Sequence, residues 1–416
     1  MKVILKKRKY VTYILFLLLY LGIFIDNYVG YQMRTGIGEN SLSKLYRLIM
    51  LAYILMILVI NDMNKNNIYL FLFVYGMILP FIQALHNETY KGLFTDILNV
   101  AKILFPIMMI AAGVALHRRR RISAEDFDVY LKVAAWIYPL SILIPYILGV
   151  GFKAYSGTSG FSGFYSSGNE ISIVLCVTFI IHMETLYMRA GLKNIIGVFV
   201  SAISIILTGT KTGVIIMIVT VIYYLVKRDS DVAKKIFYGM LATFVVVIFI
   251  FVVVFFLSDE MNANIARLQY KFWQLDGNVI NFMFSYRNMK ILPNLYEMIE
   301  SPIEILFGAG YFQKVVETQV SITSVSTGLI EMDFFDILFQ YGAIMALVVW
   351  GYFINFLYKN KKCKKRQYYF AVFCMLLYAF MAGHTFYSAT TGTLLACLCL
   401  SIVLSEQENR TKGNIV

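Results

Sequence analysis

KKRK at residues 6–9 runs directly into YVTYILFLLLYLGIFI at 10–25, with no charged side chain before Asp26. A basic cluster abutting an uncharged apolar run is the pattern of a helix that enters a bilayer with its positive end held on the cytoplasmic side. No small-residue cleavage site follows; the next residues are Asp26-Asn27-Tyr28. The run is therefore expected to be an uncleaved first span rather than a signal peptide.

The same pattern recurs along the chain. Apolar runs lie near 45–60, 68–85, 96–116, 130–150, 169–186, 194–208, 212–226, 236–257, 334–358, 367–384 and 390–404, most of them near the ~20 residues that cross a bilayer as a helix. With the first run they predict an all-α polytopic membrane protein of about twelve transmembrane helices, residues 1–416 forming a single integral-membrane domain. Composition agrees: the AVILMFWYC set makes up 59% of the chain and charged residues 15%, where a soluble chain carries about 25% charge.

The net charge of +13 does not point to nucleic acid, because Lys and Arg gather in short clusters at the ends of apolar runs. With both termini inside, the N-tail, the Arg118–Arg121 run and the Lys359–Arg366 cluster all fall on the cytoplasmic side, and most of the 37 basic residues go with them. One span more or fewer between the last two clusters would put one of them outside. Four of the five cysteines (Cys176, Cys374, Cys397, Cys399) lie in apolar runs and Cys363 lies in a basic loop, so no structural disulfide is expected.

One long non-spanning segment remains, 258–333, between spans nine and ten and therefore outside. Long loops in compact proteins are often functional. Within it, Phe282, Tyr286, Met289, Leu292 and Tyr296 follow helical spacing, so Asn281–Ile299 is expected to lie flat on the membrane or to cap a cavity. Pro293 is expected to kink it.

Charge near a membrane core is expensive and marks candidate function. Lys211 sits in Gly209-Thr210-Lys211-Thr212-Gly213 between two apolar runs. The glycines allow a sharp turn that exposes N–H groups, and the lysine adds a point charge, a combination that suits phosphate; the alternative is a lysine snorkelling at the interface. Arg287, in Ser285-Tyr286-Arg287, offers a guanidinium fork that grips phosphate bidentately, or is a solvated loop arginine. Gly308-Ala309-Gly310-Tyr311 by itself indicates a turn. Glu331, Asp333 and Asp336 stand where the loop enters the span that carries Gly342. A carboxylate there, with its pKa raised by partial desolvation, suits a general base toward a sugar hydroxyl, whereas acids in a first helical turn are also ordinary caps. His384 is a base or hydrogen-bonding candidate at an outer helix end, or a structural histidine. His182 and Glu184 read as packing. Asp229-Ser230-Asp231 resembles a D-x-D metal motif only superficially, lying among Lys227, Arg228, Lys234 and Lys235 in a short inner loop. No metal-ligand spacing is present elsewhere.

In order and spacing these features resemble the O-antigen polymerase and ligase superfamily, the Wzy-type enzymes that polymerise lipid-linked oligosaccharide repeats. Leu207–Gly213 is similar to the family's Ser-Arg-Thr-Gly hairpin. Arg287, then Glu300-Ser301-Pro302, then Phe307–Tyr311 is similar to its arginine, helix, Pro-containing turn and G-x-G. Glu331-Met332-Asp333 leading to Gln340-Tyr341-Gly342 is similar to its entry into the next helix. Lys211 stands where the family has arginine, and ligases carry a histidine where Glu331 and Asp333 stand here, which favours polymerase over ligase.

The resemblance implies a GT-C-like arrangement in a bacterial cytoplasmic membrane and a metal-independent glycosyl transfer at the outer leaflet, without cofactor. An undecaprenyl-pyrophosphate-linked chain would donate its sugar to a hydroxyl of the next lipid-linked repeat. Lys211, Arg287 and Arg267 would hold the pyrophosphate, with Glu331, Asp333 or His384 acting on the acceptor. Partners would be the lipid-linked oligosaccharide, membrane lipid, and flippase and chain-length regulator proteins. An O-antigen ligase-like transferase and a flippase or transporter of lipid-linked sugars are the alternatives; the single long outer loop favours an enzyme built at one face.

Overall fold

The structure is a computed structural model that describes residues 2–36, 41–61, 63–155, 159–226, 258–274, 277–317 and 329–413. In chain order its elements are α1 (Lys2–Thr35), α2 (Ser41–Ile60), α3 (Met63–His86), α4 (Leu93–Arg118), α5 (Ala124–Ile147), strands β1 (Phe152–Tyr155) and β2 (Ser159–Gly163), α6 (Gly168–Met188), α7 (Leu192–Thr208), α8 (Lys211–Val226), α9 (Ser258–Gln274), α10 (Val279–Phe284), a 3-10 turn (Arg287–Lys290), α11 (Ile291–Glu300), α12 (Pro302–Phe307), α13 (Asp333–Asn360), α14 (Arg366–Ala382) and α15 (Ala389–Gly413).

The chain is an α-helical multi-pass membrane protein. Among the described residues eight helices are long and apolar enough to cross a bilayer: Tyr10–Thr35, Leu42–Ile60, Lys65–His86, Leu93–Arg118, Ala124–Ile147, Gly168–Met188, Asp333–Asn360 and Ala389–Thr411. Two shorter apolar helices, Leu192–Thr208 and Lys211–Tyr224, accompany them, and α14 is 17 residues long. Eleven of the twelve expected spans thus coincide with a helix. The span expected at 236–257 and the Asp229–Asp231 loop lie outside the described residues.

The chain divides into two compact units, each assembled from separate stretches: Met1–Leu21 with Lys44–Asp128 and Asn278–Val416, and Gly22–Ser43 with Val129–Gly277. In the first, α4 and α15 are the buried centre, and small residues let them approach. A Cβ on Gly113 would stand 2.3 Å from Leu400, and one on Gly392 3.1 Å from Pro106. In the second, α6 packs against α7 and α8. The stretch between α5 and α6 departs from the all-α expectation: β1 and β2 pair antiparallel, Lys153 opposite Phe161 and Tyr155 opposite Ser159. So short a ladder, rich in Gly and Ser, carries no alternation that a sequence pattern would reveal; edge-to-face contacts of Phe164 with Phe152 and Tyr31 hold it.

Two expectations, one about the loop and one about the turn before α8, are corrected. The segment 281–299 is not one kinked helix. Ser285 (φ 55°) and Tyr286 (φ 66°) are both left-handed, so the helix ends at Phe284, passes through the 3-10 turn and restarts at Ile291. Pro293 falls in the first turn of α11, where no intrahelical N–H is required, and produces no kink. Gly213 is also not a turn residue. It lies inside α8, where a Cβ would meet Ser172 Oγ at 2.3 Å, so its glycine serves close packing rather than chain reversal.

Candidate functional site

In the first unit, three chain segments converge on the start of α13. The first turn of that helix carries Asp333 and Asp336, 1% and 3% exposed, and each clamps a different loop. Asp333 accepts hydrogen bonds from three successive backbone N–H groups, His384 at 2.7 Å, Thr385 at 2.7 Å and Phe386 at 2.9 Å. Asp336 accepts from Ile330 and Met332, both at 2.9 Å. The residue between that pair is Glu331.

Both clamped loops hold side chains in left-handed backbone. Glu331 has φ 63° and His384 φ 67°, a conformation that costs non-glycine residues of order 1–3 kcal/mol and persists only where surrounding contacts enforce it. The enforcement is visible. Gly383 (φ 69°) abuts the Glu331 backbone so closely that a Cβ would stand 2.6 Å from its carbonyl oxygen. Ser285 and Tyr286 are left-handed too, so four of the six non-glycine residues with positive φ among the described residues belong to this region.

The reversal at Ser285–Tyr286 delivers Arg287. Its Nη2 donates to Glu331 Oε2 in an ion pair whose arginine side chain is 14% and glutamate 42% exposed. Lys290 Nζ, one 3-10 turn on, donates to the Leu329 carbonyl at 3.1 Å. Burial raises the Glu331 carboxyl, but the charge and hydrogen bond of Arg287, with His384 and Lys290 beyond it, outweigh that, and the group sits below its ordinary value. At Glu331 the elevation expected of a general base is therefore not found, because the paired arginine favours the ionised form. Asp333 and Asp336 accept backbone hydrogen bonds from these loops and so hold them against the start of α13.

The G-x-G segment has a structural explanation that sequence alone did not give. The helix α13 is interrupted at Gly342 (φ 78°, ψ 173°), and the turn at Gly308 (φ 73°, ψ 169°) interlocks with that break. A Cβ on Gly342 would lie 2.2 Å from the Leu306 oxygen, and one on Gly308 2.4 Å from Tyr341 N. The carbonyls freed by the break are met by Ala309 N on Phe339 O at 3.1 Å and Gly310 N on Gln340 O at 2.9 Å. Helix α3 completes the joint: Gln83 Nε2 donates to the Phe307 and Gln340 carbonyls at 2.6 and 2.8 Å, and Asn87 Nδ2 to the Ala309 carbonyl at 2.8 Å. Asp96, at the start of α4, accepts from Phe312 N at 2.9 Å. Tyr311, between them, has its hydroxyl pushed up by burial and then by the charges of Asp336 and Asp96. Tyr387 donates to Gln340 Oε1 at 2.8 Å, tying the His384 loop to the same break. Gln83, Asn87, Asp96 and Tyr387 were not among the candidates read from the sequence. The signal was available for Asp96, an acid inside an apolar run.

Lys211 and Arg267 belong to the second unit, around one turn. Gly209 (φ 65°) ends α7, and α8 begins at Lys211. Arg267 Nη2, from α9, donates to the Gly209 carbonyl at 2.6 Å. Thr210, just before α8, shares a short hydrogen bond with Ser172. The structure thus brings Arg287, Glu331, Asp333 and His384 together, and separately Lys211 and Arg267. Among the described residues no group of three or more His, Cys, Asp or Glu side chains is arranged to hold a metal ion.

No family model matches the chain, and no curated protein is similar to it at a significant level. What sequence and structure define together is the class: a polytopic α-helical membrane protein with an arginine–carboxylate–histidine cluster at one end of a broken helix.

Proposed function

We propose that the protein polymerises undecaprenyl-pyrophosphate-linked oligosaccharide repeats at the outer face of a bacterial cytoplasmic membrane, with about twelve spans, both termini inside and segment 258–333 outside. The observation that carries the proposal is the Arg287–Glu331 pair, partly buried beside His384 at the mouth of a membrane helix. A cation that grips phosphate stands next to a carboxylate and an imidazole, the groups that a sugar-transfer step from a lipid pyrophosphate needs.

In the reaction, an acceptor hydroxyl oxygen attacks the anomeric carbon of the donor sugar. The bond from that carbon to the pyrophosphate oxygen breaks, undecaprenyl pyrophosphate leaves, and the hydroxyl proton passes to the enzyme base. Arg287 neutralises the leaving group. The resting ion pair supplies an order of events. When pyrophosphate takes the Arg287 guanidinium, Glu331 loses the partner that holds its pKa down while its burial remains, so its basicity rises as the substrate binds. His384 then orients or accepts from the hydroxyl.

The test is the lipid-linked saccharide profile of cells lacking the protein. Single repeat units on the carrier, labelled at the outer face, in place of long polymer are expected. Single units confined to the inner leaflet would identify a flippase instead. If Arg287→Ala leaves polymer length and yield normal, the role of Arg287 as pyrophosphate clamp is wrong.

A further inference from the structure

Helix α11 has two apolar faces, and only one is covered. Ile291, Leu295 and Met298 pack into a core with Ile330, Met332 and Phe339. A second strip, Leu292, Tyr296 and Ile299, is 55%, 63% and 56% exposed. It extends to Met289 before the helix and to Ile303 and Leu306 on α12, all exposed. The remaining edge, Glu297 and Glu300, is polar, and Lys314 Nζ donates to Glu297 at 2.5 Å. A helix washed by water on its whole outer side would not carry such a strip beside a charged edge; a helix lying in a membrane interface would.

The neighbouring helix sets the depth. Ser301 Oγ lies 3.3 Å and Glu304 Oε1 3.9 Å from His86 Nε2, at the end of α3, and α12 packs on α3. Along α3, Phe71, Val74, Ile78, Phe81 and Leu85 form an exposed stripe at helical spacing, ending one residue before His86. On a membrane-spanning helix that stripe faces lipid. The exposed strip of α11 and α12 continues it at the level where the span ends.

We propose that α10–α12 lies in the headgroup–acyl boundary of the leaflet at the His86 end of α3, with Leu292, Tyr296 and Ile299 inserted among lipid chains and Glu297 and Glu300 toward water. The occupant of this face is bilayer lipid. This inference stands independently of the polymerase proposal. It also places Arg287, one short turn upstream of α11, at headgroup level.

The experiment uses the full chain in phospholipid nanodiscs, with nitroxide labels at Leu292→Cys, Tyr296→Cys and Ile299→Cys, and at Ile78→Cys and Glu300→Cys as lipid and water references. All five native cysteines are buried. Collisional relaxation by oxygen and by a water-soluble nickel chelate is compared. The three strip positions are expected to behave like position 78, favouring oxygen several-fold over position 300. Values matching position 300 would make this an aqueous loop and overturn the proposal. Shielding from both relaxants would show a protein partner over the face and overturn it equally. A photoactivatable phospholipid with the unmodified chain gives an independent reading: adducts within 289–306 are expected, and their absence counts against lipid contact.

Discussion

Asp333→Asn isolates the clamp that positions His384. The carboxylate receives three backbone N–H groups, on Oδ1 from His384 and on Oδ2 from Thr385 and Phe386. An amide has one oxygen. In its best orientation it keeps the Thr385 and Phe386 bonds and turns its NH₂ toward the His384 N–H, donor against donor. The loss is one charge-assisted bond plus a part-buried donor left unmet, each about 1–3 kcal/mol, so the loop should be destabilised by roughly 2–6 kcal/mol. The strain of the left-handed backbone at Gly383 and His384 acts in the same direction once the clamp is weakened. Because the clamp is local, the cost should show as opening of residues 383–387 rather than as global unfolding. Amide hydrogen exchange there, followed by mass spectrometry on the reconstituted chain, should accelerate by roughly thirty-fold or more at about 1.4 kcal/mol per decade. Asp336→Asn should accelerate exchange at Ile330 and Met332 while sparing 384–386. Unchanged exchange at 384–386 in Asp333→Asn would refute the clamp and, with it, the argument that the acid at 333 positions His384.

Three further outcomes follow from the same geometry. Gly342→Ala should cost roughly 3 kcal/mol or more, combining a forbidden φ with a Cβ only 2.2 Å from the Leu306 oxygen. Gly351→Ala, in the same helix with nothing within 4 Å of its Cβ, should be neutral; thermal unfolding of the two variants makes the comparison, and equal melting would count against the interlock. Glu331 is held below its ordinary value of 4.5, so its pairing is complete above that value and weakens as pH falls through the lower folded one. Exchange protection at Arg287–Lys290 should fall on acidification in the native chain and show no such step in Arg287→Met. Finally, Arg287→Ala and Glu331→Gln should be non-additive in polymer yield, the double variant losing less than the two single losses combined, because they share one interaction. Full additivity would mean that the pair does not work as a unit.

The spans were legible because lipid imposes a simple rule, runs of apolar residues with their basic flanks, and that rule survives any tertiary detail. The cluster was legible only as a set of residue types. Arg287, Glu331, Asp333 and His384 could be named because ionisable groups near a membrane are costly, but their roles depend on contacts between residues 44 to 53 positions apart in sequence. No local pattern says that Asp333 will be consumed by three backbone donors, or that an arginine will depress the carboxylate expected to be elevated. Gly213 was misread for the same reason. A glycine in a Thr-Gly step reads as a turn, and only the approach of Ser172 from another helix shows that its missing side chain matters for packing. The hairpin at 152–163 was invisible because a ladder of this length has no period.

The break in α13 gives these observations a common cause. A helix interrupted at Gly342 leaves carbonyls at Phe339 and Gln340 without their usual donors, and within a membrane such groups must be met by protein. The G-x-G turn and Gln83 meet them, which fixes that turn against the break in α13. The half-helix so anchored, Asp333 to Tyr341, then presents two buried carboxylates at its free end, and these fix the loops that carry Glu331 and His384. Precision at the ion pair is thus inherited from backbone hydrogen bonds one step away, through side chains that need not touch a substrate. The glycines and acids of this region look like separate motifs in the sequence, but in the folded chain they are successive links of one support, and a change at Gly342 should reach Arg287 by way of Asp336 and Glu331.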